Sequence, residues 1–85
     1  MIRFTVVMHP LAEQELAELW LDASDPSAVA HAANAVEREL AVDAHLKGRQ
    51  VSARTREISW PPLHCLFRVR MNDRIAEVFS VTRDS

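Results

Sequence analysis

The chain has 85 residues, of which 48% are hydrophobic and 26% charged, with a formal net charge of −2. That content is too apolar for a disordered chain, and the length fits a single domain over residues 1–85. The lone Cys65 excludes an internal disulfide framework and a multi-cysteine zinc site, and the lone Gly48 excludes a glycine-rich phosphate loop.

No apolar run approaches the roughly 18 residues that span a bilayer, and Met1-Ile2-Arg3-Phe4 lacks a signal-peptide plan, so a cytoplasmic protein is expected. His9, His31, His45 and His64 have no metal-ligand spacing, and neither metal nor cofactor is implied. A domain this small buries only about 60–65% of its unfolded surface, so a partner chain or a homodimer is expected to add burial. Charge is unevenly placed. Residues up to Leu46 carry 2 basic and 8 acidic side chains, and those from Lys47 onward carry 8 basic and 4 acidic ones. Such asymmetry signals either a polyanionic or acidic partner on one face, or solvated surfaces on two different elements.

Phe4 to Met8 is β-branched and apolar, and reads as a strand. His9-Pro10 breaks it, and Pro10 suits the first turn of a helix over Leu11 to Leu21. Ala12, Leu16, Leu19 and Trp20 recur there at helical spacing, so Leu16 and Trp20 are expected between helix and sheet. Ser24 or Asp25 caps a second helix, with Pro26 at its first position. That helix is expected from Ser27 to about Leu46, with Val29, Ala32, Ala33, Val36, Leu40 and Ala44 as its apolar stripe and Gly48 as its left-handed cap. A short linker makes the two helices an antiparallel hairpin.

Three strands are expected next. Arg54 to Trp60 ends at Pro61-Pro62. In Leu63 to Arg70, the apolar Leu63, Cys65, Phe67 and Val69 alternate with His64, Leu66, Arg68 and Arg70, giving one apolar and one basic face. Asn72-Asp73 turns the chain into a last strand over Arg74 to Thr82. The order is β-α-α-β-β-β, an α+β fold with a helical hairpin on one face of a largely antiparallel sheet.

Four segments together resemble the RelE/ParE superfamily of toxins from bacterial type II toxin–antitoxin (plasmid stabilisation) systems. They are Phe4 to Ala12 with Glu15-Leu16, the long helix ending in Leu40 before Lys47-Gly48-Arg49, Leu63 to Val69, and Asp73 to Val81. The resemblance implies a toxin that inhibits growth by binding a cellular target and is neutralised by a cognate antitoxin. It implies as targets either mRNA on the ribosome, cut by a metal-independent endonuclease, or DNA gyrase. One fold hosts several functions, and a non-toxic interaction module on the same fold is the alternative.

The resemblance places a working arginine of the nuclease branch at His64, while a one-residue slip would put Cys65 there. The strand alternation favours His64. In a nuclease the catalytic group would be His64, Arg68 and Arg83. Target or antitoxin binding would fall on Arg54, Arg56, Arg68, Arg70 and Arg83, against the plainer reading of solvated or snorkelling side chains. Glu57 and Ser59 stand where the nucleases often carry basic groups, and the C-terminal tyrosine of some nucleases is missing. Glu57 reads as a base or as half of a cross-strand ion pair. Trp20 and Trp60 are expected in the core rather than stacked on bases, and Cys65 as an inert buried thiol.

Overall fold

A computed structural model describes residues 1–84. In chain order its elements are β1 (Thr5–Met8), α1 (Pro10–Asp22), α2 (Pro26–Leu40), a 3₁₀ turn (Ala44–Leu46), β2 (Arg49–Ser52), β3 (Thr55–Trp60), β4 (Leu63–Arg70) and β5 (Ile75–Arg83). The strands form one sheet in the order β1-β5-β4-β3-β2. β1 runs parallel to β5, and every other neighbouring pair is antiparallel.

Both helices start as their sequence dictates. Pro10 and Pro26 take first positions, where no backbone N–H is needed. His9 Nδ1 accepts from the Leu11 N–H at 3.1 Å, and Asp25 Oδ1 from the Ala28 N–H at 3.3 Å. α2 packs toward β3 and β4 and α1 against β5, and the small, apolar stripe of α2 (Val29, Ala32, Val36, Leu40) shares one cluster with Leu63, Cys65 and Phe67 of β4 and Ala76, Val78 and Val81 of β5. Those residues are the core.

The α+β hairpin-on-sheet fold matches the expectation, and three local readings are corrected. First, α2 stops at Leu40, short of Leu46. Asp43 adopts a left-handed conformation (φ 52°), which aspartate tolerates better than most residues. Its N–H donates to the Ile2 carbonyl at 2.7 Å, and its Oδ1 accepts from the Ile2 N–H at 2.8 Å. These long-range bonds override the helix propensity of the alanines. Gly48 is left-handed as read (φ +63°), but it enters β2 rather than capping a helix. A Cβ there would run into the Glu57 carbonyl oxygen.

Second, Arg49–Ser52 forms an added strand, so the order is β-α-α-β-β-β-β. All four of its residues are exposed, and no alternation marks it. Third, the tryptophans are not core: Trp20 is 47% and Trp60 39% exposed. Leu16 only flanks the core, half-buried. Leu16→Ala should therefore cost about 1–2 kcal/mol, below the roughly 2–5 kcal/mol of a fully buried leucine, and a urea midpoint measures it. β5, for its part, does not alternate strictly. A bulge between Leu66 and Phe67 of the ladder leaves Phe79 without an opposite residue. Val78 and Val81 both face the core in consequence.

Candidate functional site

The sheet face away from the helices is left open, and β4 runs down its middle. Strand pairing sets Ser59 opposite His64, Glu57 opposite Leu66, and Arg68 opposite Glu77. Paired residues point to the same side of a sheet. The open face therefore carries Glu57 and Ser59 from β3, His64, Leu66, Arg68 and Arg70 from β4, and Glu77 from β5.

Two carboxylate-centred clusters occupy it. In one, Glu57 receives the Arg49 guanidinium on Oε1, and its Oε2 lies 3.3 Å from His64 Nε2. His64 Nδ1 lies 2.9 Å from the Ser59 hydroxyl. When the proton of neutral His64 sits on Nε2, beside the Glu57 carboxylate, Nδ1 is the basic nitrogen and accepts from Ser59. In the other, Glu77 Oε1 is approached by Arg68 at 3.4 Å and Arg70 at 3.7 Å. The Arg68 guanidinium also lies 4.3 Å above the Phe79 ring. The bulge turns that ring outward, and the cation–π contact fixes the long side chain.

The expectation of a basic face is corrected here. Arg49, Arg68 and Arg70 are each paired with Glu57 or Glu77, so the centre of the face is nearly charge-balanced. Pairs of this kind on a solvent-facing sheet are worth about 0–1 kcal/mol.

The expected site residues divide. His64, Arg68 and Arg70 share the open face, as their alternation required. Arg83 does not join them. It pairs with Leu63, on the helix side, and lines a cleft of about 560 Å³ together with Asp22, Ser24 and Asp25. Arg56 also turns to the helix side, opposite Phe67, and donates from Nε to the Lys47 carbonyl at 2.8 Å. It ties down the turn before β2. Arg54 sits exposed in the β2–β3 turn.

Cys65 is buried on the helix side, and burial pushes its thiol up from the ordinary 9.0 to about 11. It lies on the opposite face from His64, so no thiol–imidazole pair forms. The unfolded chain loses this proton first, so stability should fall by about 1.4 kcal/mol per pH unit between 9.0 and about 11. A Cys65→Ala variant should lack that segment of the stability–pH curve. Among the described residues no cluster of His, Cys, Asp and Glu could hold a metal ion. No helix of the described residues is long and apolar enough to cross a membrane.

A helical hairpin on one face of a five-stranded sheet, with a parallel first strand, is also the fold of three solved toxin or toxin–antitoxin structures. A chain of the toxin–antitoxin complex RelBE2 from Mycobacterium tuberculosis superposes with a TM-score of 0.82 at 17% identity, covering 99% of this chain and 94% of that one. A chain of the chromosomal ParDE system from P. aeruginosa gives 0.75 at 14% identity, covering 98% of each. A mutant of E. coli toxin RelE in the free state gives 0.71 at 14% identity, covering 98% of this chain and 84% of that chain. No protein-family model matches the sequence, and no curated protein does.

Proposed function

We propose that this chain is the toxin component of a type II toxin–antitoxin pair, inhibiting growth through a cellular target and neutralised by a cognate antitoxin. The observation that carries the reading is the extent of the likeness. Structures described as toxin or toxin–antitoxin match 98–99% of this chain. The open face supports it as well, because Arg68 and Arg70 already cradle a carboxylate that a partner's anion could displace.

The test is induced expression of the full chain. Growth should arrest, and co-expression of a small neighbouring open reading frame should relieve the arrest. The double variant Arg68→Ala/Arg70→Ala should weaken toxicity while changing thermal stability by no more than about 1 kcal/mol, as surface substitutions usually do. Growth unaffected by the wild-type chain would leave the interaction module as the reading.

A second reading, ribosome-dependent mRNA endonuclease, is favoured by one observation: Ser59 hydrogen-bonds His64 Nδ1 while the Glu57 carboxylate lies 3.3 Å from His64 Nε2. Cleavage of RNA without metal needs a base for the 2′-hydroxyl and a cation for the phosphate. His64 Nδ1 can take the 2′ proton, with Glu57 steadying the resulting imidazolium. The 2′-oxygen then bonds to phosphorus as the bond to the 5′-oxygen breaks, water protonates the leaving 5′-oxygen, and Arg68, on the same face of β4, would balance the phosphate charge. Gyrase poisoning is separated from this by its product, broken chromosomal DNA in place of cut mRNA.

A further inference from the structure

Two arginines that the open face leaves out come together on the other side of the sheet. α2 ends at Leu40, so its cover stops short of the β2–β3 turn, and the 3₁₀ turn Ala44–Leu46 approaches the strands there instead. Between that turn and the strands lies a cleft of about 200 Å³, walled by His45, Ala53, Arg54, Arg56, Val69 and Met71. No aspartate or glutamate lines it. Arg56 reaches it from the helix side of β3, opposite Phe67, and Val69 from the same side of β4, opposite the buried Ala76.

Each arginine is positioned by neighbours that leave its charge uncompensated. Arg56 donates from Nε to the Lys47 carbonyl at 2.8 Å and from Nη2 to the Gly48 carbonyl at 3.4 Å. Carbonyls orient a guanidinium but do not neutralise it. Gln50 donates from Nε2 to the Ser52 carbonyl at 3.1 Å and the Ala53 carbonyl at 3.5 Å, which pins the turn that presents Arg54. Neither arginine has a carboxylate partner among the described residues. The carboxylates closest in sequence are engaged elsewhere: Glu39 with Lys47, Asp43 with the Ile2 N–H, and Glu57 with Arg49 on the open face.

His45 adds a third observation. Its Nδ1 is buried and has no hydrogen-bond partner among the described residues, and its ring lies beside Phe4 with centroids 5.7 Å apart. Buried polar atoms nearly always have a partner, so this nitrogen is the unmatched group in the wall. A ring not held through Nδ1 can turn about its Cβ–Cγ bond, and an anion in the cleft would accept the proton of that nitrogen.

We infer that this cleft binds a doubly charged phosphate group, either the free ion or the end of a phosphate monoester. Two unpaired guanidinium groups match a dianion, and a monoester carries about 1.5 to 2 negative charges at pH 7 where a diester carries one. Val69 and Met71 lower the local dielectric beside the charges and strengthen the attraction. At about 200 Å³ the cleft is smaller than the roughly 300 Å³ at which pockets begin to enclose drug-sized ligands, so it takes the phosphate head and leaves the rest of an ester in solvent. The site lies across the sheet from His64 and Arg68 and does not depend on the toxin reading.

The test titrates the isotope-labelled full chain with inorganic phosphate at constant ionic strength, followed by NMR. Saturable shifts should appear at the His45 ring and at the amides of residues 53–56. Dimethyl phosphate, a singly charged diester, should bind at least about tenfold more weakly. Glycerol 3-phosphate separates the two sources: tighter binding than inorganic phosphate assigns the site to an ester, and equal or weaker binding assigns it to the free ion. Arg54→Gln should weaken phosphate binding at least about tenfold, and Arg54→Lys should lose less because it keeps the charge. Arg54 is exposed in its turn, so these variants keep the fold even where Arg56→Gln does not. Arg70→Gln, on the open face, should leave the affinity at this cleft unchanged. Shifts that never saturate, shifts confined to the open face, equal binding of dimethyl phosphate, or unchanged affinity in Arg54→Gln would overturn the inference. None of these measurements involves growth, so the toxin reading stands or falls separately.

Discussion

Phe67→Ala should cost about 3–5 kcal/mol of folding stability. Phe67 is the largest of the fully buried side chains, in β4 where the core of helices and sheet meets. Truncation removes its ring from the core and leaves a cavity that tightly packed neighbours cannot close. A domain of this size holds only about 5–15 kcal/mol, so the variant should lie close to unfolding at 37 °C. The chain neighbour supplies the control. Leu66 points to the open face and is half-buried, so Leu66→Ala should cost about 1 kcal/mol. Chemical denaturation of the two variants therefore reads the strand's face directly. A larger loss for Leu66→Ala would mean that β4 has been placed one residue out of register, and would move His64 off the open face.

That register was legible in the sequence because β4 is buried on one side only. Leu63, Cys65 and Phe67 are buried and alternate with polar or half-buried residues, as period-two patterning requires. The helix starts were legible because proline and a capping side chain are local signals. What was lost depended on contacts far apart in the chain. The early end of α2 is set by Asp43 meeting Ile2, and no pattern within the helix announces it. β2 is exposed along its whole length, so it carries no alternation to read.

The site was partly legible for the same reason. His64, Arg68 and Arg70 share one strand, and their common face follows from spacing alone. The Ser59–His64 pairing was within reach, since a tight hairpin at Pro61-Pro62 brings the two opposite each other. Arg83 was misplaced because its side depends on the β5 bulge, which shifts the count between Phe67 and Leu66 and reverses the expected parity of everything beyond it. The same bulge brings Phe79 under Arg68, an assignment that composition and periodicity do not contain. Glu57 and Glu77 neutralise the arginines only through cross-strand pairing, which a charge count along the chain does not see.

In the endonuclease reading, His64→Ala should slow cleavage of ribosome-bound mRNA by at least about a hundredfold, within the 10²–10⁴ range of a general base. His64 is the one imidazole on the open face, and both of its ring nitrogens are engaged, 3.3 Å from Glu57 and 2.9 Å from Ser59. Glu57→Gln keeps the shape of the partner and removes its charge. It should lower the rate by less than His64→Ala, because it acts on the imidazolium rather than on the substrate proton. Ser59→Ala gives the opposite sign of evidence. The Ser59 hydroxyl occupies the position on Nδ1 that an attacking 2′-hydroxyl needs, so its removal should leave the rate unchanged or raise it. A large loss in Ser59→Ala would assign that hydroxyl a role of its own. Arg83→Ala should have little effect on cleavage, because Arg83 faces the helix side of the sheet. All four side chains are at least partly exposed, so none should shift the denaturation midpoint by more than about 1 kcal/mol equivalent. Cleavage equal in wild type and His64→Ala would remove the histidine from the chemistry. A wild-type chain that arrests growth with mRNA intact would turn the search to a DNA topoisomerase, with Arg68 and Arg70 as the contacts to test first.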